Sequence, residues 1–155
     1  ADTSPARHMG ISIRRGQLED AKVLFELARQ YHSGREPIGR DEFVVALDNV
    51  LRHRDQETNV LFVAVDDEKV VGYSLLTVSR LLHASGLAGH LQEIVVNEAA
   101  RGHGIGDRLI QANEHYCMGR GVRQLSASTA RMGSFYNHRG FAPVGEHYRK
   151  VLDLG

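Results

Sequence analysis

The chain is poor in thiols: its 155 residues contain one cysteine, Cys117. One cysteine cannot close an internal disulfide, so nothing calls for an oxidising compartment. Cys117 lies among helically spaced apolar positions, where a free cysteine acts as a small core hydrophobe rather than a nucleophile. No apolar run approaches the roughly 18 to 20 residues needed to span a membrane. The formal net charge is zero, which removes any global electrostatic case for nucleic acid or an acidic membrane as partner. The first eight residues are polar, without the apolar centre of a signal peptide. They read as the remnant of an expression tag, with the domain running over residues 9–155 from Met9. A cytoplasmic protein is the default expectation.

The composition, 42% apolar and 25% charged, is that of a folded chain rather than a disordered one. The length suits one domain with one core. Charge is unevenly spread. Positions 101–150 hold eight basic and three acidic residues, and positions 41–70 the reverse, three basic and eight acidic. A polyanionic ligand held by the C-terminal third would account for the first imbalance, and chance surface variation is the competing account.

Ile11 and Ile13 alternate with polar residues like a first strand. Leu18, Ala21, Leu24, Phe25, Ala28 and Tyr31 recur at helical spacing and predict a helix over residues 18–32. Residues 33–40 form a loop, and Asp41 caps a second helix carrying Phe43, Val44, Leu47 and Leu51. Residues 60–65 and 70–78 flank a polar turn and predict a hairpin. Residues 80–89 read as a connection, and 91–96 as a short strand interrupted by Glu93. Ile105, Leu109, Ala112 and Tyr116 mark a helix that ends near Gly119 and Gly121. A strand follows over 122–128, then a short helix ending before Gly140. Residues 141–144 and 147–152 are candidate closing strands. The whole reads as one mixed α/β domain, a central sheet of six or seven strands flanked by about four helices.

The strongest local signal follows the strand at 91–96. Arg101, Gly102, His103, Gly104, Ile105 and Gly106 carry the chain into a helix through alternate glycines. Glycine lets backbone N–H groups converge without Cβ obstruction, and a helix N-terminus adds orphan donors and partial positive charge. Together they suit an anion. A Walker A loop would need Gly-Lys-Ser/Thr, but Gly106 is followed by Asp107 and Arg108. A dinucleotide fingerprint would need Gly-x-Gly-x-x-Gly after a first βαβ unit, and neither is present. A plain glycine-rich turn is the structural alternative.

Arg101-Gly-His-Gly-Ile-Gly106 is similar to the Gln/Arg-x-x-Gly-x-Gly/Ala signature of the GNAT N-acetyltransferases. About 30 residues later, Phe135, Tyr136, Gly140 and Phe141 resemble that family's second motif, an aromatic–Tyr pair before Gly-Phe. The resemblance extends over nearly the whole chain from Ile11, with the elements in the family's order. It implies that the amides of residues 101–107, ending at Asp107, hold the pyrophosphate of acetyl-CoA, the co-substrate. It also implies that two strands, at 91–96 and 122–128, splay to form the CoA cleft. Thr129 stands seven residues before the motif tyrosine, where many members carry a CoA-contacting Asn, and Met132 replaces a frequent Ala. The stretch from Gly89 to Val96 with its histidines bears a fainter resemblance to the aminoalkylphosphonate acetyltransferase branch.

Amine acetylation by a thioester requires a neutral amine, a stabilised oxyanion and a protonated leaving thiolate, beyond proximity itself. The resemblance assigns the oxyanion to a backbone amide among Ile94, Val95 and Val96. It assigns the thiolate's proton to Tyr136, whose bland reading is an aromatic packed under the last strands. Glu93 is a carboxylate in an apolar strand, on the face opposite Ile94, and the resemblance implies that it acts as base, directly or through water. A solvated edge position is its alternative. His83 and His90 precede this strand without metal-ligand spacing, so no metal is expected. His103 is counted with the phosphate loop, with a solvent-facing side chain as its alternative, and His138 is a candidate CoA contact. The expected activity is acetyl transfer from acetyl-CoA to a primary amine of a small molecule in a ternary complex. A protein acetyltransferase and a non-catalytic acyl-CoA-binding module are the alternatives. A homodimer is compatible with all three, and neither nucleic acid nor membrane is an expected partner.

Overall fold

The computed structural model describes residues 10–31, 38–52, 58–129 and 132–152. The hairpin is its centre. β2 (Asn59–Asp66) and β3 (Lys69–Arg80) pair antiparallel with Asp66 opposite Lys69. The two residues between them, Asp67 and Glu68, have φ of 47° and 71°. Two successive positive φ values match the twist of a two-residue hairpin, and Asp tolerates them better than most side chains. β1 (Ile11–Arg15) pairs antiparallel with β2, and β4 (Leu87–Val96) with β3. β5 (Val122–Ala127) lies parallel to β4. The sheet order is therefore β1-β2-β3-β4-β5. A parallel pair needs a long crossover, supplied by helix α3 (Ile105–Arg120).

Helices cover both faces, which is why β2 reads as an almost unbroken apolar run. Successive side chains alternate in direction. Leu61, Val63, Tyr73 and Val95 pack with Leu24 and Leu27 of α1 (Ala21–Ala28) and Leu47 of α2 (Arg40–Arg52). Val60, Leu76, Val78 and Leu91 pack on the other face with Ile110 and Cys117 of α3. Tyr136 of the short helix α4 (Gly133–Asn137) joins that second cluster. Asn113 on α3 is fully buried. It donates to Ser74 Oγ and to Leu109 O, both at 2.8 Å, which fixes the helix over β3.

The first helix is shorter than its apolar spacing suggests. Residues Leu18–Asp20 form a 3-10 turn, and α1 proper begins at Ala21. The Asp20 carboxylate accepts the Gln17 N–H at 2.8 Å and two bonds from Arg14, at 2.8 and 2.9 Å. These bonds tighten the entry into a turn. His32 lies outside the described residues, as do Met9 and residues 1–8 of the suspected tag. α2 starts at Arg40 and so takes Asp41 into its first turn, where the helix dipole favours an acid. β4 begins at Leu87, within the stretch expected to be a connection. Gly89 is inside the strand, and a Cβ there would meet Cys117 Sγ at 3.3 Å and Val122 Cγ1 at 3.4 Å. That glycine serves close helix packing; Gly86, with φ of 82°, makes the turn.

Five strands stand among the described residues, not six or seven. Residues 141–144 and 147–152, expected as closing strands, form no ladder. Pro143 lacks a donor for one. Val151 and Leu152 are adjacent rather than alternating, and both are exposed.

Candidate active site

β5 stops short of β4. Their pairing runs from Leu87 opposite Val122 to Leu91 opposite Ala127, the last residue of β5. β4 continues to Val96. The two strands thus part company at Leu91, as the expected splaying requires, and the outer edge of residues 92–96 borders a cleft. It measures about 1360 Å³, beyond the roughly 300–1,000 Å³ of a single small-ligand pocket.

The glycine loop forms one wall. Asn97 accepts the Ala99 N–H at 3.2 Å and starts a 3-10 turn, Glu98–Ala100. Arg101 donates its Nε–H to Val96 O at 3.1 Å. Gly102 and Gly104 then take φ of 84° and 79°, a region that strains L side chains. The first helical bond of α3 runs from Arg108 N–H to Gly104 O, at 3.1 Å. The N–H groups of Ile105, Gly106 and Asp107 therefore lack intrahelical partners. Gly106 is glycine for another reason, since a Cβ there would meet the Phe135 ring at 3.1 Å. Arg101, Gly102, Gly104, Ile105, Gly106 and Asp107 all line the cleft, whereas His103 is half-buried beside it.

Glu93 alternates with Ile94, and a register shift lies just before it. Leu75 pairs with Glu93 and Leu76 with Leu91, so Gln92 is an extra residue on β4. An inserted residue bends the strand and breaks alternation locally. Leu91 and Ile94 consequently pack on the α3 face, while Val95 packs on the α1 and α2 face. The Glu93 carboxylate turns to that second face, where Tyr73 Oη donates to its Oε1 at 2.6 Å. Glu93 is half-buried, not a solvated edge residue. Tyr31, just past α1, flanks it, and its Oη donates to Gln92 O at 3.4 Å. Burial pushes both phenols up, and the Glu93 charge pushes them further.

Tyr136 is 8% exposed and lines the same cleft. Edge-to-face packing holds it between Phe135 and Phe141, with centroids 5.1 and 5.2 Å away. Burial raises its pKa, with a smaller push from Tyr31, so the phenol keeps its proton at neutral pH. Arg139 locks this helix to the loop. It pairs with the Asp107 carboxylate, donates to Phe135 O at 2.6 Å and lies 3.7 Å over the Phe135 ring.

Residues 22–141 match the model of the acetyltransferase (GNAT) family. The chain belongs to that family. Among curated proteins, it is 30% identical over 69 residues to glucosamine 6-phosphate N-acetyltransferase 1 of Oryza sativa subsp. japonica. That match takes in 44% of this chain and 42% of the relative, so it spans less than half the relative's length. Among solved structures, a transcriptional regulator from Bacillus halodurans C-125 has a TM-score of 0.80 at 21% identity, covering 92% of this chain and 99% of the other. Glucosamine-6-phosphate N-acetyltransferase from Arabidopsis thaliana has a TM-score of 0.77 at 20% identity, with the same coverage of each chain. At such identities the likeness speaks to the fold.

Within this GNAT domain, Glu93, Ile94, Val95, Val96, Thr129 and Tyr136 meet the glycine loop around one cleft. Thr129 Oγ1 accepts the Met132 N–H at 2.9 Å, at the entry to α4. Asp107 is engaged by Arg139. His83 and His138 are exposed. His90 is half-buried and bonds through Nδ1 to Ser126 Oγ at 2.7 Å; burial foremost, and then nearby His147, lower its pKa. Sequence reasoning missed Tyr31, Tyr73 and Arg139. Tyr73 sits in a strand that reads as plain core, and its link to Glu93 depends on a register that no local pattern reveals. Arg139 offered one signal, its spacing of four from Phe135.

Proposed function

We propose that this GNAT domain transfers the acetyl group of acetyl-CoA to a primary amine of a small molecule, by direct attack in a ternary complex. The observation that carries the reading is the convergence of a half-buried carboxylate, a buried protonated phenol and a glycine-rich helix start on one cleft. Acetyl-CoA supplies the activated acetyl group as a thioester. The loop fits its pyrophosphate, since the amides of residues 105–107 have no helical partners and positive φ at Gly102 and Gly104 keeps side chains out. Glu93 accepts a proton from the acceptor ammonium, directly or through water, which frees the nitrogen lone pair for attack. A backbone N–H among Ile94, Val95 and Val96 donates to the carbonyl oxygen as charge gathers there. The nitrogen bonds to the carbonyl carbon, the carbon–sulfur bond breaks as Tyr136 Oη–H gives its proton to the departing sulfur, and the excess proton on nitrogen leaves through water and restores the phenol.

The curated relative is named for an amino sugar phosphate, which supports a small-molecule acceptor over a protein one. The test is incubation with acetyl-CoA and a panel of amino sugars, aminoalkylphosphonates, polyamines and lysine peptides. Free thiol release and product mass are read together. Release with an added 42 Da on a small amine is the expected result, from the mass of an acetyl group replacing one hydrogen. Release only with peptides would move the assignment to protein acetylation. CoA binding without release across the panel would favour a non-catalytic acyl-CoA module.

A further inference from the structure

The acceptor end of the cleft contains a hydrogen bond that the proposed chemistry does not yet use. Tyr73 projects from β3 into the core beneath α1, only 5% exposed, and reaches across to β4. Its Oη lies 2.6 Å from Glu93 Oε1. A buried phenol needs a partner for its hydroxyl, and this one takes half of the carboxylate assigned as base. The backbone makes the contact. Tyr73 pairs with Val95 and Leu75 with Glu93, so both side chains stand on the same face, in adjoining rows. The register is unbroken between these two pairs, and the extra residue at Gln92 lies just beyond them.

We propose that Tyr73 is a positioning residue for Glu93, holding Oε1 from the core so that Oε2 is presented to the acceptor amine as a fixed base. This rests on the base role given to Glu93 above. Burial disfavours the charged form of a carboxylate, whereas a hydrogen bond donated to that form favours it. Tyr73 supplies such a bond from a group that cannot compete for the proton at neutral pH, because burial and the neighbouring carboxylate both push its phenol up. Among the described residues, Tyr73 from β3 and Tyr31 just past α1 face Glu93. Tyr31 turns its own hydroxyl to Gln92 O, which leaves Tyr73 as the donor. The bond also removes rotamer freedom from Glu93, and a base held in place outperforms one that must be found.

Tyr73→Phe deletes the hydroxyl and keeps the ring. The expected result is a kcat lowered about tenfold, with the KM for acetyl-CoA within twofold of wild type. The acid limb of the kcat/KM profile should move to higher pH. A carbon-13 titration of the Glu93 carboxyl, assigned through Glu93→Gln, should show its midpoint moving the same way without any turnover. In a Glu93→Gln background, Tyr73→Phe should cost nothing further. Replacing Tyr73 with 3-fluorotyrosine retains the hydroxyl as a stronger donor and should move the acid limb to lower pH. It also keeps the test alive if the Phe variant does not fold. An unmoved Glu93 titration in every variant, or an equal loss with and without Glu93, would overturn the proposal. A titration that moves while the pH–rate profile stays fixed upholds the tie between the two side chains and sinks the base role instead.

Discussion

Tyr136 shows how packing can prepare a proton donor. A phenol exposed to water loses its proton near pH 10, but burial between Phe135 and Phe141 makes the phenolate costlier still. The raised pKa has a definite sign: the donor form persists to higher pH than in water, so Tyr136 sets no alkaline limb below about 10. Tyr136→Phe keeps the aromatic packing and removes only the donor. General acids contribute about 10²- to 10⁴-fold, so kcat should fall within that range while acetyl-CoA affinity holds. Steady-state kinetics beside calorimetric titration separate the two quantities. An unchanged kcat at saturating substrate would reduce Tyr136 to a packing residue.

At the scale of elements, the join between β4 and α3 carries the anion-binding geometry. Gly104 has φ of 79° and accepts the first bond of the helix. Asn and Asp are the side chains that enter the left-handed region most readily, so both Gly104→Asn and Gly104→Asp should fold. The pair separates bulk from charge, because the two side chains have nearly the same shape. Gly104→Asp should weaken CoA at least tenfold, which corresponds to about 1.4 kcal/mol. Gly104→Asn should lose less, the difference being repulsion between carboxylate and phosphate. Equal, wild-type-like titrations for both folded variants would mean that the pyrophosphate is held elsewhere. The same join was the most legible part of the sequence, since alternate glycines between an apolar strand and a helical pattern are a local signal. Its neighbour was not. The register that sets Tyr73 of β3 beside Glu93 changes no composition and no periodicity over a window, although alternation alone placed Glu93 opposite Ile94. Arg139 was hidden in a different way, because its pairing with Asp107 spans 32 positions.

For the molecule as a whole, what could be read was whatever each segment encodes alone: the hairpin, the long helix, the order of elements. What could not be read depends on distant partners. The closing strands were inferred from short apolar stretches, but residues 142–152 are exposed and join no ladder. The first helix was drawn too long because Arg14, on β1, captures Asp20 at its start. That ion pair ties the first strand to the first helix, and it makes the stability of the entire fold depend on pH. Asp20 is buried. The Arg14 guanidinium foremost, with help from the Gln17 N–H, holds its carboxyl below the ordinary carboxylate range against the cost of burial. A group whose folded pKa is depressed stabilises the fold above its unfolded value, about 3.9 for Asp, and loses that contribution as pH falls through the folded pKa. Asp20→Asn should therefore melt below wild type at pH 6 to 7. The gap should narrow as pH drops below about 4, where wild type protonates the same carboxyl. Thermal melts of both proteins between pH 2.5 and 7 give the difference curve directly, with all other carboxylates common to both. A gap that stays constant over this range would mean that the bond geometry at Asp20, and not its charge, secures the strand to the helix.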